Sequence, residues 1–406
     1  VTTHTGPTGD DGTAATPAAS PETTEAGPAN SASRPRLPGR RRRVLRWVAF
    51  GTSAALLAGA GTAWAVLRDL DGNIRTDTST ARELARHADE RPDPAAGETR
   101  NVLLLGSDSR EGRNSGYGDA IGARSDTTIL LHLPADRSHA TAVSIPRDLM
   151  VDVPECRRSD GTTTRAQFAQ FNWAFQFGGA ACTIRTVEKL TGVRIDHHLI
   201  VDFKGFKNIV NAVGGVEVCL PHDVHDRDAR LDLEAGRQTL NGKQALGYVR
   251  ARKAFDGSDT QRMGRQQDFL ASLLDEVREE GVLTDPSKLY PLLDAATSAL
   301  TADEGLDSLR ELYGLVRSLR ETPEGEVHFL TVPRQPYTLD PNRDELVQPA
   351  ANQLFERLRE GEPVRVTHTT APGATPDSSP EPESPYREAS DATGVCSGDG
   401  ARNGGN

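Results

Sequence analysis

The 406-residue chain carries 47 Lys/Arg against 58 Asp/Glu, a formal net charge of −11, with 36% apolar residues and a mean hydropathy of −0.52. That length allows one large domain or two small ones. Seven basic and four acidic residues precede Trp47, leaving 40 against 54 beyond it, and so acidic a remainder excludes non-specific nucleic-acid binding, which needs a basic face.

In chain order, Val1 to Gly39 is rich in Thr, Pro, Ala, Ser and Gly and predicts disorder within a cytoplasmic tail over 1–46. Trp47 to Leu67 is an uncharged run of 21 residues, about the ~20 a membrane-spanning helix needs. Arg40, Arg41, Arg42, Arg43 and Arg46 precede it, so the positive-inside rule makes this a single-pass type II protein of the cell membrane, its main domain outside. A cleaved signal peptide is the alternative, with Ala63-Trp64-Ala65 as a loose cleavage site. The run exceeds the ~7–15 residues of a signal core and favours an anchor. Residues 68–98 read as a polar stalk with a helical patch at Ala81 to Ala88; 99–361 form the folded domain; 362–406 return to Pro, Ser, Glu, Asp and Gly as a second tail.

Within the domain, Val102 to Leu105, Thr127 to Leu133 and Ala140 to Ile145 predict strands from their β-branched and leucine content, the last two joined as a hairpin by Pro134 to His139. Helices are expected at Ala166 to Phe177, Thr183 to Leu190 and Phe203 to Val213, with buried strands at His198 to Val201 and Val216 to Cys219. Helices near Gln261 to Glu280 and Asp307 to Leu319, a strand at Val327 to Val332 and a helix at Glu345 to Glu360 complete it. This order implies an α/β class: a layered α/β/α fold with a central mixed sheet, preceded by one transmembrane helix.

The four cysteines, Cys156, Cys182, Cys219 and Cys396, lie outside the membrane on this topology and suit two bridges in one of three connectivities. Cys156 with Cys182 is preferred, because both flank one loop-and-helix segment. His222 and His225 form H-x-x-H beside Asp223 and Asp226, a metal pair without a third ligand or a solvated loop. His197-His198 adjoins a buried strand and reads as structural. The aromatics Phe168, Phe171, Trp173, Phe175 and Phe177 read as core, or as lining for an isoprenoid tail.

Six of the 47 basic residues are lysine; the arginine skew is compositional, so an arginine informs only through its place. Asp108 follows the first strand, Arg124 and Asp126 border the second, and Arg147 ends the third. On the helix from Gln261, Arg262 and Gln266 fall on the stripe continued by Phe269, Leu273 and Val277, with Arg265 at its margin. That stripe must face the core. Arg250 and Arg252 share a side with Tyr248 if that segment is extended, and Asp259 suits an N-cap. Arg–Asp pairs that merely tie loops are the plain alternative. Arg124, Arg147, Arg250, Arg252 and Arg262 outnumber Asp108, Asp126 and Asp259, so an anion is expected to complete the cluster, with a divalent cation on the carboxylates. A metal-bound diphosphate meets both needs. Outside the membrane it would belong to a lipid-linked glycan.

Together the segments Gly106-Ser107-Asp108, Arg124 to Asp126, Pro146 to Asp148, Tyr248 to Arg252 and Asp259 to Gln267 resemble the LytR–CpsA–Psr family of cell-wall glycopolymer transferases, in their actinobacterial type. The motifs run from about Asn101 to Gln267, and the general pattern to about Gly361. The resemblance implies transfer of a glycopolymer phosphate from a polyprenyl diphosphate carrier to a peptidoglycan hydroxyl, O6 of N-acetylmuramic acid, releasing polyprenyl phosphate. It implies Asp108 and Asp126 as ligands of Mg²⁺ or Mn²⁺, Arg124, Arg147, Arg250, Arg252 and Arg262 as the diphosphate grip with Gln266 in support, and Asp259 supporting the arginines. Gln170-Phe171-Asn172 departs from the pattern, since the family often has a lysine before the Asn. A pyrophosphatase using the same residues, or a non-enzymatic wall-binding or regulatory protein, are the rival readings.

Overall fold

The computed structural model describes residues 39–95, 97–107, 125–251, 259–278, 286–323 and 326–364; for 39–42, 126, 259–261, 278 and 286–288 it describes the backbone alone. Two compact units meet between Gly61 and Thr62. What is described of the first is helix: the leading part of α1 (Gly39–Asn73). Among the described residues, Arg43–Asn73 is the one helix long and apolar enough to cross a bilayer.

The second unit is built on a seven-stranded mixed sheet. Its members, in chain order, are β1 (Arg75–Thr76), β2 (Arg100–Ser107), β3 (Ser125–Leu133), β4 (Ala140–Ser144), β7 (His197–Asp202), β12 (Leu300–Ala302) and β13 (Val327–Thr331), in the spatial order β1-β12-β7-β2-β3-β4-β13. β7 runs parallel to β2, and β13 to β4, while β3 is antiparallel to both its neighbours. The expected β3–β4 hairpin is present. Strand residues alternate between faces, and this splits the core in two. Leu103, Leu105, Leu130, Val143 and Leu330 face α3 (Asn172–Thr191) and α9 (Ala350–Glu360); Val102, Ile129, Leu131 and Ala142 face α8 (Leu309–Glu321) through Leu312 and Leu315. These are the three layers of an α/β/α fold.

A further apolar cluster joins α4 (Phe203–Ala212), the β8–β11 pair (Val216–Leu220 with Gly236–Leu240), the β9–β10 pair (Val224–Asp226 with Leu231–Leu233), α5 (Gly242–Arg250), α6 (Asp259–Arg278) and α7 (Pro286–Ala299) around Val210, Val218, Leu240 and Phe269. α5 opens with a capping box in which the Asn241 side chain accepts from Gln244 N while Gln244 reaches back to Asn241 N. This satisfies two helix-end donors reciprocally.

Several local expectations are corrected. Ala166 to Phe177 is not one helix: β6 (Gln167–Gln170) pairs antiparallel with β5 (Met150–Val153), and α3 starts only at Asn172. α3 breaks at Gly178 and Gly179 (φ 62°, ψ −148°). A Cβ on Gly178 would stand 2.9 Å from that of Cys182 and 3.0 Å from Arg157 O, so glycine there admits the disulfide. Glu345 starts no helix, because β15 (Asp340–Leu346) pairs with β14 (Arg334–Tyr337) and α9 begins at Ala350. Part of the expected stalk belongs to the domain: Leu70 and Ile74 are buried and β1 pairs with β12. α2 (Thr78–Arg86) follows, capped by the Asp77 carboxylate. Cys156 and Cys182 form the preferred disulfide, Cα–Cα 5.5 Å; Cys219 is also disulfide-bonded, to a partner outside the described residues.

Candidate active site

Ligand crevices of α/β folds lie beyond the carboxyl ends of parallel strands. Here β2, β4, β7 and β13 all end toward one edge of the sheet, where β3 begins, and the register brings the motifs to that edge. Ser107 pairs with Ser125 and Gly106 with Thr127, so the ladder shifts by one and leaves Asp126 as the extra residue of a bulge. Bulges re-aim a strand locally and recur beside active sites. Asp108 and Arg124 adjoin these pairs in the chain but lie outside the described residues, as does Arg252; of Asp126 and Asp259 only the backbone is described.

Arg147 follows β4 by three residues. Ile145 N donates to Thr128 O at 2.9 Å, continuing the ladder, and Leu149 N donates to Pro146 O to close a turn. Arg147 Nε donates to Asp148 Oδ2 at 3.2 Å, and Asp148 Oδ1 accepts from Gln170 Nε2 at 2.8 Å. Asn172 N donates to Arg147 O at 3.0 Å, fixing the first turn of α3 against the arginine loop.

The opposite flank is α6. Its stripe places Arg262 inward as expected, 5% exposed, with Phe269 fully buried. Arg265, expected at the margin, is buried as well and donates to Ala251 O. Gln266, one turn beyond Arg262 on the same face, donates Nε2 to Val249 O at 3.1 Å and accepts from Thr127 Oγ1 at 3.4 Å. It ties α6 to the end of α5 and to the start of β3. Gln267, 3% exposed, reaches Ser144 Oγ (2.9 Å), Leu330 O (2.8 Å) and Thr331 Oγ1 (3.0 Å), clamping the helix onto the ends of β4 and β13. Sequence reading passed over Gln267, although a glutamine one residue off an apolar stripe was the available signal.

The extended reading of residues 248–252 is overturned as far as Arg250, which is the last residue of helix α5. Helical geometry turns Tyr248 into the core against Phe269, away from Arg250. Burial, with the nearby Asp268, pushes the Tyr248 phenol up to about 12, so it stays neutral. The Arg250 guanidinium lies 4.5 Å from the ring centroid of Phe203, the residue that follows β7. A cation over an aromatic face is thus placed just beyond the end of β7.

Three of the expected arginines, Arg147, Arg250 and Arg262, are therefore carried by separate elements toward the same edge of the sheet. The N-terminus of the 20-residue α6 lies beside them and adds its partial positive charge. Such an edge offers positive charge to an anion. Among the described residues no group of three or more His, Cys, Asp or Glu side chains could hold a metal ion, and the two carboxylates expected for that role fall outside this description. His225 is spent on Asp232 at 2.6 Å, both exposed. His197 bonds Asp303 at 3.0 Å and His198 bonds Asp77 at 3.3 Å, the structural role expected of them. Of the aromatics, Phe171 and Phe175 are core, while Phe168 and Trp173 are 53% and 39% exposed.

Sheet and helical layers together define an α/β/α protein of a particular lineage. The chain belongs to the LytR_cpsA_psr family, whose pattern matches residues 70–360. It is 35% identical over 294 residues to the probable cell wall biosynthesis protein LcpB of Corynebacterium glutamicum, covering 70% of this chain and 66% of LcpB. It is 32% identical over 292 residues to the polyisoprenyl-teichoic acid–peptidoglycan teichoic acid transferase TagT of Bacillus subtilis, covering 69% of this chain and 85% of TagT. The fold is that of the LytR-Csp2A-Psr enzyme from Actinomyces oris (TM-score 0.51, 22% identity, 66% of this chain and 94% of that one). This chain spans just under two thirds of LcpB.

Proposed function

We propose that this chain is an extracytoplasmic phosphotransferase that moves a glycopolymer phosphate from a polyprenyl diphosphate carrier to a peptidoglycan hydroxyl, O6 of N-acetylmuramic acid. What supports it is that the elements bearing Arg147, Arg250 and Arg262 all reach the same sheet edge, beside the chain positions of Arg124 and Arg252. The printed activity of TagT, a relative at 32% identity, supports the same reading. The uncharged run Trp47 to Leu67 within α1 supplies the membrane anchor, with Arg40 to Arg43 and Arg46 at the leading end of that helix on the cytoplasmic side, and the Cys156–Cys182 bridge suits an oxidising exterior.

In the reaction the muramic hydroxyl attacks the glycan-side phosphorus. The new O–P bond forms as the bond to the bridging oxygen breaks, and polyprenyl phosphate leaves with that oxygen. Arg124, Arg147, Arg250, Arg252 and Arg262 hold the diphosphate oxygens and take up the charge that builds on the leaving phosphate, with Gln266 setting the position of Arg262. Asp126 or Asp259 receives the hydroxyl proton. Asp108, next in the chain after β2, and Asp126 of β3 are hard oxygen donors that would suit Mg²⁺ or Mn²⁺, which when bound would neutralise diphosphate charge.

The test incubates the full-length chain in detergent with lipid-linked glycan, Mg²⁺ and uncross-linked glycan strands. Ligated polymer with an equivalent of polyprenyl phosphate is expected. Water as the sole acceptor would make the chain a pyrophosphatase, and no turnover at all would leave a binding protein. EDTA should abolish the reaction and Mg²⁺ restore it.

A further inference from the structure

The arginine edge has a flank that the phosphate chemistry leaves unused. β6 and the β14–β15 hairpin stand beside the Arg147 loop, the hairpin held there by Asp344 N donating to Asp148 O at 3.1 Å. On this flank Phe168 is exposed by half its surface, and its ring lies 6.1 Å from that of Tyr337 at 55°, an open V of two aromatic faces. Aromatic side chains of this size are normally buried. Directly across the strand pair from Phe168 stands Asp152, itself exposed, so the two side chains are close neighbours on one face.

Two residues along β6, on the same face as Phe168 and about 7 Å away, Gln170 bonds Asp148, which bonds Arg147. The ledge is therefore continuous with the anion grip.

An aromatic face next to an exposed carboxylate suits a molecule with apolar C–H faces rimmed by hydroxyls. It does not suit a bilayer surface, because Asp152, Asp340 and Glu345 around the ledge would lose hydration on insertion and would repel anionic headgroups. Nor does it suit an isoprenoid, which has no use for the carboxylates.

We propose that Phe168 and Tyr337, with Asp152 beside them, form a carbohydrate subsite that seats the acceptor glycan strand and delivers its hydroxyl toward Arg147. This rests on the transfer reaction proposed above. The orienting side chains hold sugar rings and do not touch the phosphate.

The test uses the full-length chain in detergent and soluble, uncross-linked peptidoglycan strands as the probe, with Phe168→Ala, Tyr337→Ala, Asp152→Asn and the aromatic replacement Phe168→Trp. Calorimetry should show strand affinity falling ten-fold or more in Phe168→Ala, less in the other two, and recovering in Phe168→Trp. Acceptor KM should rise in parallel, while donor KM and the slow release of polyprenyl phosphate to water stay unchanged. Equal strand affinity in all variants would overturn the subsite. So would loss of binding to phosphatidylglycerol vesicles in place of strand binding, since the ledge would then meet lipid. Strand binding that depends on Phe168, in a protein that transfers nothing, would retain the subsite and remove the transferase reading.

Discussion

Gln267 offers the sharpest test of how the crevice is held together. Its amide nitrogen lies within 3.0 Å of three oxygens, Ser144 Oγ, Leu330 O and Thr331 Oγ1, but an amide has only two hydrogens. Two bonds are counted, each contributing about 1 kcal/mol net. In Gln267→Leu the Leu330 carbonyl also loses this donor in a buried setting, which costs about 1–3 kcal/mol. A leucine of similar length recovers part of this through its apolar surface, so a net loss of about 2–3 kcal/mol is expected. Because the clamp lies little more than one turn from Arg262, the loss should reach function. Transfer kcat/KM should fall by about a hundred-fold, the scale of a misplacement near 1 Å. Urea unfolding of the sheet-containing unit checks the first number, with the midpoint falling and the slope unchanged; steady-state transfer checks the second. A Gln267→Leu protein with wild-type midpoint and wild-type kcat/KM would refute the idea that this amide positions α6.

Arg250→Ala should lower transfer by two or more orders of magnitude with little change in unfolding midpoint, and Arg250→Lys should recover only a small part, since a point charge lacks the planar fork; equal activity of the Lys and wild-type proteins would argue against a bidentate grip. Replacing both Cys156 and Cys182 by serine opens a loop of sequence separation 26 and should cost about 3.5 kcal/mol by loop entropy, read as a lower melting temperature that added reductant does not depress as far as it does the wild type. His132, buried on β3 with Nδ1 2.7 Å from Asn101 Oδ1, has its pKa lowered to about 4 by burial and by His139. The unfolded chain therefore binds its proton first, so the contribution is complete above about pH 6.5 and is lost as pH falls toward 4, by about 3 kcal/mol. In His132→Gln the midpoint should be flatter over that window, and an unchanged pH profile would refute the assignment. Asp77 adds sensitivity at lower pH: burial raises its pKa, but hydrogen bonds with His198, Ser79 and Thr80 outweigh this and hold the carboxyl below the ordinary range. Asp77→Asn should therefore weaken the cap of α2 and reduce the acid-side slope in urea titrations.

What could be known from the sequence came from patterns that repeat within one element. β2, β3 and β4 declare themselves because each buries both faces and so reads as an apolar run, and Arg262 is placed inward because Phe269, Leu273 and Val277 fix the buried stripe of its helix. The Cys156–Cys182 bridge was legible for a similar reason, as a local closure around one segment. Elements that owe their form to a distant partner were not legible. Residues 340–346 are polar with no alternation and become a strand only because β14 and Asp148 supply the other half of the ladder; Gln167–Gln170 is a strand because β5 lies beside it.

The site divides along the same line. Which residue types gather in short motifs is a property of the chain, and the excess of arginine over aspartate already demanded an anion. Their meeting at one edge depends on the order of strands, on the bulge at Asp126, and on an amide of Gln267 that grips two strands more than a hundred and more than sixty positions away in opposite directions along the chain. Arg250 shows the difference most plainly: an alternating segment and a helix end are equally compatible with its neighbours in sequence, and the capping box of α5 together with burial of Tyr248 against Phe269 decides between them. Local periodicity is set by the residues of one segment, whereas the convergence of charge requires contacts between segments that only a packed core can hold in register.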